Sequence, residues 1–173
     1  MKRPRTIPAI ESGEVWLILG EQGAGKSYLA QSLAWRWRRE GGAVIVCDPV
    51  ACLGALAGVA GFVAVPELAA ADWWPPETGR RLLLVIDEAH RVARRGRTAP
   101  PWLGPLCAQV RHLNMSVVAT SQHPAQIHGD LRTLATHIYA STVRGAEHLA
   151  WARAGGLHYP KTPPPKRQFV RLR

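Results

Sequence analysis

An α/β fold with a mostly parallel sheet, covered by helices on both faces, is what this sequence predicts. Three observations predict it. Short apolar runs such as VWLIL, AVIVC and LLLVI read as buried strands. Helical stretches alternate with them, the pattern of parallel strands joined by crossovers. Hydrophobic residues make up 47% of the 173 residues and charged ones 20%, enough apolar surface for one core and one domain.

The elements follow in order. Residues 1–12 form a basic arm, which lacks the apolar stretch of a signal peptide. Val15 to Leu19 is the first strand, ending in a Gly-rich turn. KSYLAQSLAWRWRR then sets Leu29, Leu33 and Trp37 at helical spacing, and Gly41-Gly42 stops that helix. Ala43 to Cys47 is the second strand, broken by Asp48-Pro49. The stretch 51–65 is expected to hold a short helix and a minor strand, and it is too short and Gly-rich to span a bilayer. ADWWPPETG, residues 71–79, reads as a loop with exposed aromatics, where Trp73 and Trp74 either stack on bases or, beside Pro75-Pro76, pack on a neighbouring surface, the reading favoured here. Leu82 to Ile86, Met115 to Thr120 and Thr136 to Ala140 are the third, fourth and fifth strands, and residues 101–112 are expected to be helical. A main domain over residues 13–158 is followed by a proline-rich linker and an edge strand over 159–173.

Charge and cysteines narrow the function. The chain carries 22 Lys+Arg against 12 Asp+Glu, a net +10, which favours a polyanionic partner, nucleic acid or an anionic membrane surface. Cys47, Cys52 and Cys107 form no CxxC pair and show no zinc spacing, so they read as reduced thiols in a cytoplasmic protein. The seven histidines suggest no metal set.

GEQGAGKS, Gly20 to Ser27, matches GxxxxGK[ST] between a strand and a helix. In such a loop the backbone N–H groups of Gly20, Glu21, Gln22, Gly23, Ala24 and Gly25 curl round phosphates. Lys26 reaches the β and γ oxygens, the Ser27 hydroxyl holds Mg2+, and Tyr28 follows within reach of the nucleotide. A bare flexible turn with a surface lysine is the competing account.

The third strand ends in Asp87-Glu88, on the sheet edge that carries the phosphate loop. Asp87 is placed to orient the Mg2+ shell and Glu88 to polarise water for in-line attack on the γ-phosphate. A helix-capping acid pair is the alternative. The second acid favours hydrolysis over phosphoryl transfer to a small acceptor. Gln122 ends the fourth strand, where it would touch the γ-phosphate or the attacking water, or else serve as a buried cap. The letters DEAH in LLLVIDEAHR invite a helicase reading, but the chain has room for one of the two halves such an enzyme closes on its nucleotide.

At this point the chain resembles the FtsK/HerA superfamily of DNA-translocating ATPases. The likeness rests on GEQGAGKS, VCDP, VIDEAHR and VRHLNMSVVATSQHP, and covers most of residues 13 to 150. It implies a RecA-like (ASCE) P-loop NTPase with helices on both faces of a sheet ordered 5-1-4-3-2, counting the five main strands along the chain. It also implies that Arg111 acts as a trans arginine finger on a neighbour's nucleotide, with Arg144 as a second trans contact; a solvated helix-end arginine is the bland account of each.

Among such motors the chain is most similar to small genome-packaging ATPases of tailless, membrane-containing double-stranded DNA viruses. That implies ATP and Mg2+ as cofactors and a homo-oligomeric ring, a hexamer. It implies double-stranded DNA held without sequence preference, capsid or portal-vertex proteins as partners, and a place in the host cytoplasm or at the packaging vertex. Arg91, Arg94, Arg95 and Arg97 are the candidate DNA contacts, against the alternative of solvated surface. Two other readings stand beside this one: a Zot-like filamentous phage assembly ATPase, whose relatives usually carry a membrane span, and a non-translocating P-loop switch such as a helicase loader or partition factor.

Overall fold

The computed structural model describes residues 9–50, 53, 62–65, 81–143 and 145–172. The expected short helix after residue 50, Cys52, the 71–79 loop with Trp73 and Trp74, and Arg144 lie outside the described residues.

Seven strands form one sheet: β1 (Val15–Leu19), β2 (Ala43–Cys47), β3 (Phe62–Val65), β4 (Leu82–Ile86), β5 (Met115–Ser121), β6 (His137–Ala140) and β7 (Val170–Arg171). Their spatial order is β3-β2-β4-β5-β1-β6-β7. The five main strands therefore follow the expected order, with one further strand at each edge. All pairings are parallel except β7 on β6. β1, β4 and β5 are buried along their whole length, as continuous apolar runs in a two-faced sheet must be.

Side-chain alternation splits the core into two layers. Trp16, Ile18, Val44, Val46, Leu83 and Val85 face α1 (Lys26–Arg39), which buries Leu29, Leu33 and Trp37 against them. Val15, Leu17, Leu19, Leu84 and Ile86 face the other way, against Trp102, Leu103, Leu106 and Leu131. That second layer is built from short helices: α2 (Ala89–Val92), α3 (Leu103–Gln109), α4 (Gly129–Leu134) and α5 (Ala146–Ala154). The helix expected over 101–112 is thus shorter. After Gln109 the chain unwinds through turns to Asn114, whose φ of 53° reverses it into β5. The first strand-helix-strand unit matches the sequence reading. α4 and α5 carry no comparable sequence signal. Among the described residues no helix is long and apolar enough to cross a membrane.

Gly42, just beyond α1, lets the backbone pass over the buried Trp37 indole. A Cβ there would meet Trp37 Nε1 at 2.1 Å and Cδ1 at 2.3 Å. The ring has no room to retreat, being 2% exposed with the Arg81 guanidinium 4.6 Å from its centroid. Gly42→Ala is therefore expected to destabilise the fold by about 1 to 3 kcal/mol, as overpacking does. Urea unfolding checks it, as a lower midpoint with an unchanged slope.

Candidate active site

β1 delivers the chain into the loop between Gly20 and Ser27, at the carboxyl edge of the sheet. Gly20 N donates to Ser121 O (3.2 Å) and Glu21 N to Thr142 O (2.8 Å), tying the loop to the ends of β5 and β6. Gly23 and Gly25 adopt φ of 74° and 88°, which a side chain would strain. α1 begins at Lys26 with no side-chain cap and no acidic residue in its first turn. Its free N–H groups and positive dipole end therefore make the loop a seat for an anion.

Six side chains converge there. Lys26 is 5% exposed, with Nζ 3.3 Å from Glu21 O and 3.8 Å from Glu88 Oε1. The same Oε1 accepts a 3.1 Å hydrogen bond from Gln122 Nε2. Ser27 Oγ lies 3.2 Å from both carboxyl oxygens of Asp87. Thr120 Oγ1 donates to Asp87 Oδ1 and accepts from Glu88 N, joining the ends of β4 and β5.

Burial dominates the electrostatics of the buried carboxylate. Asp87 is fully buried, and desolvation pushes its pKa up. Glu88 and Asp48 push the same way, while the Thr120 and Ser27 hydroxyls oppose them. Hard oxygen donors with raised proton affinity suit a hard divalent cation such as Mg2+. Glu88 has φ 50° and ψ 50°, the left-handed region that a non-glycine residue enters at a cost of about 1 to 2 kcal/mol. Its Oε2 is buried without a hydrogen bond. Nearby, His90 Nδ1 lies 3.3 Å away but is engaged with Ser121 Oγ at 3.1 Å. Burial lowers the His90 pKa to about 4 against the pull of Glu88, so the imidazole is neutral at pH 7.

Beside these groups opens a cleft of about 990 Å³, within the size range of small-molecule sites. Gln22, Gly23, Gly25, Lys26, Ser27 and Tyr28 line it, as do Glu88 and Gln122. Tyr28 stands 76% exposed on the rim.

Leu29, Ser32, Val50, Arg91, Arg167 and Phe169 also line the cleft, which the sequence does not announce. In the sequence Arg91 belongs to the run of candidate DNA contacts. The left-handed turn at Glu88 starts α2 so that Arg91 borders the cleft, whereas Arg94 and Arg95 line a separate hollow with Arg132 and Trp151. Arg97 is exposed in the following turn.

Arg111 is exposed and lies apart from this cluster. Its Cα sits 3.6 Å from the position a Cβ on Gly13 would take, and Gly13 N bonds Met115 O, where β5 begins. A five-residue strand rising ~3.3 Å per residue separates that edge from the phosphate loop, so Arg111 cannot serve the site of its own chain.

Comparison with known proteins places this geometry. The Zonular occludens toxin (Zot) family model matches residues 66–147, a little under half the chain. No curated protein matches the sequence. Among solved structures, the genome packaging NTPase B204 of Sulfolobus turreted icosahedral virus 2, in complex with AMPPCP, is similar with a TM-score of 0.67 and 16% identity, covering 84% of this chain and 83% of that one. The N-terminal domain of zonular occludens toxin from Neisseria meningitidis gives 0.52 at 18% identity, covering 76% and 77%. The cytoplasmic domain of the type VII secretion ATPase EccC from Thermomonospora curvata gives 0.59 at 19%, covering 92% of this chain and 22% of that one. These likenesses show the fold, that of RecA-like P-loop NTPases.

Proposed function

We propose that this chain is an ATP-hydrolysing subunit of a ring motor that moves double-stranded DNA, of the kind that packages viral genomes. The observation that carries this reading is the convergence of Lys26, Ser27, Glu88 and Gln122 on one cleft at one sheet edge, with Asp87 buried behind the Ser27 hydroxyl.

Each group has a task in hydrolysis. The loop amides and the α1 N-terminus seat the β-phosphate, and Lys26 neutralises the β and γ oxygens. Ser27 and Asp87 are the residues that would hold Mg2+, which when bound supplies further charge neutralisation along the phosphates. Glu88, with one carboxylate oxygen fixed by Gln122 and the other free of hydrogen bonds, accepts a proton from the attacking water. Neutral His90 borders that free oxygen without adding a charge. Arg111, on the opposite edge, acts on the neighbouring subunit's nucleotide, with Arg144 as a second trans contact, so turnover needs a ring, here a hexamer.

The net charge of +10 and the exposed Arg94, Arg95 and Arg97 support sequence-independent contact with the phosphate backbone. Capsid or portal-vertex proteins are the further partners of such a motor, and the host cytoplasm or packaging vertex is its place. A Zot-like assembly ATPase is a second reading, favoured by the family match over residues 66–147. Displacement of a third strand from a triplex-bearing duplex distinguishes the two. The packaging reading expects ATP-dependent displacement; ATP turnover without displacement favours assembly or switch functions.

A further inference from the structure

Residues 159–172 do more than end the domain. Tyr159 Oη donates to Ser141 O (2.7 Å) and accepts from Val143 N (2.9 Å), and Thr142 Oγ1 donates to Pro164 O (2.9 Å). Beyond the prolines, Arg167 N donates to Ala24 O in the phosphate loop (3.2 Å). β7 then pairs with β6, and Leu172 N bonds Ile138 O (2.7 Å). The segment is thus anchored at both ends and crosses the loop between them.

At the crossing the backbone is specialised. Arg167 has φ 64°, a conformation costly for any side chain but glycine. It lays its stem over Gly25: a Cβ there would lie 3.4 Å from Arg167 Cγ and 3.8 Å from its Cα. The side chain borders the cleft, and no carboxylate among the described residues lies within ion-pair distance of its guanidinium. Lys26, Arg91 and Arg167 thus surround a cleft whose acidic lining, among the described residues, is Glu88. Phe169 adds apolar surface to the same wall while packing on the α1 layer.

We infer that the proline-rich segment is a wall of the nucleotide site in cis, and that Arg167 is a phosphate contact within it. This rests on the reading of the cleft as a nucleotide site. A guanidinium beside the helix N-terminus that seats phosphate, without an ion-pair partner among the described residues, adds a fork of donors matched to phosphate oxygens. The backbone bond to Ala24 fixes its Cα beside the loop, so only the exposed side chain must order on binding. The left-handed φ is what aims the side chain across Gly25 while that bond is made.

The test uses the full chain and calorimetric titration with ADP and inorganic tripolyphosphate. Arg167→Gly suits the positive φ and keeps the N–H bond to Ala24 while removing the guanidinium. It is expected to fold with an unchanged or higher melting temperature without ligand, and to bind both probes about ten- to a hundredfold more weakly, the range for a lost charge-assisted hydrogen bond. Arg167→Lys recovers part of that loss. Phe169→Ala weakens ADP and spares tripolyphosphate. Unchanged affinity of Arg167→Gly for either probe, beside a wild type that binds both, overturns the inference while leaving the nucleotide site intact. A wild-type chain that binds neither overturns the parent reading and the inference with it.

Discussion

Arg111→Ala leaves ATP binding intact and lowers hydrolysis by about 10³- to 10⁵-fold, the worth of an arginine finger, or roughly 4 to 7 kcal/mol of barrier at 1.36 per decade. The size of the effect follows from placement. Arg111 stands at the amino edge of the sheet, one strand length from Lys26 and Glu88, and reaches a nucleotide only by belonging to the next subunit. A solvated arginine at that edge would cost turnover little. The measurement is phosphate release per site beside nucleotide affinity, and wild-type turnover in the variant would remove the trans assignment.

Glu88→Gln is the second large effect. The amide keeps the side chain's shape and Oε1 contact but cannot take the water proton, so turnover falls by about 10²- to 10⁴-fold. Affinity for ATP is expected to stay level or rise, since Lys26 no longer shares its charge with a carboxylate 3.8 Å away. The two variants also complement each other. Arg111→Ala subunits keep an intact site but give no finger, while Glu88→Gln subunits give the finger but cannot hydrolyse. Mixed rings should recover phosphate release above either variant alone. Fingers acting in cis would give no recovery.

The contrast between these residues and Arg167 shows what a sequence makes legible. GEQGAGKS, VIDEAH and ATSQ each lie at a strand end, so a strand order that sets β1, β4 and β5 side by side brings Lys26, Asp87, Glu88 and Gln122 together without long-range knowledge. The same argument sets Arg111 on the far edge. A run of arginines reads in sequence as one charged surface, whereas the left-handed Glu88 starts a four-residue helix that sets Arg91 on the cleft and Arg94 and Arg95 on another hollow. Arg167 was invisible for a different reason. Its contacts with Ala24 and Gly25 span more than a hundred residues and depend on a tail whose composition reads only as an extended linker. α4 and α5 were missed because each is short, α4 six residues and α5 nine, and their helicity comes from packing rather than pattern.

The central claim is that this cleft turns over ATP in a DNA-driven ring. It is tested most directly by steady-state phosphate release from the wild-type chain with ATP and Mg2+, measured over a range of protein concentrations with and without duplex DNA. The rate per subunit is expected to climb with protein concentration as rings form, and to climb further with duplex of any sequence, the DNA effect fading steeply as salt is raised. A rate per subunit that is independent of concentration and of DNA, or ATP bound without turnover, would contradict it.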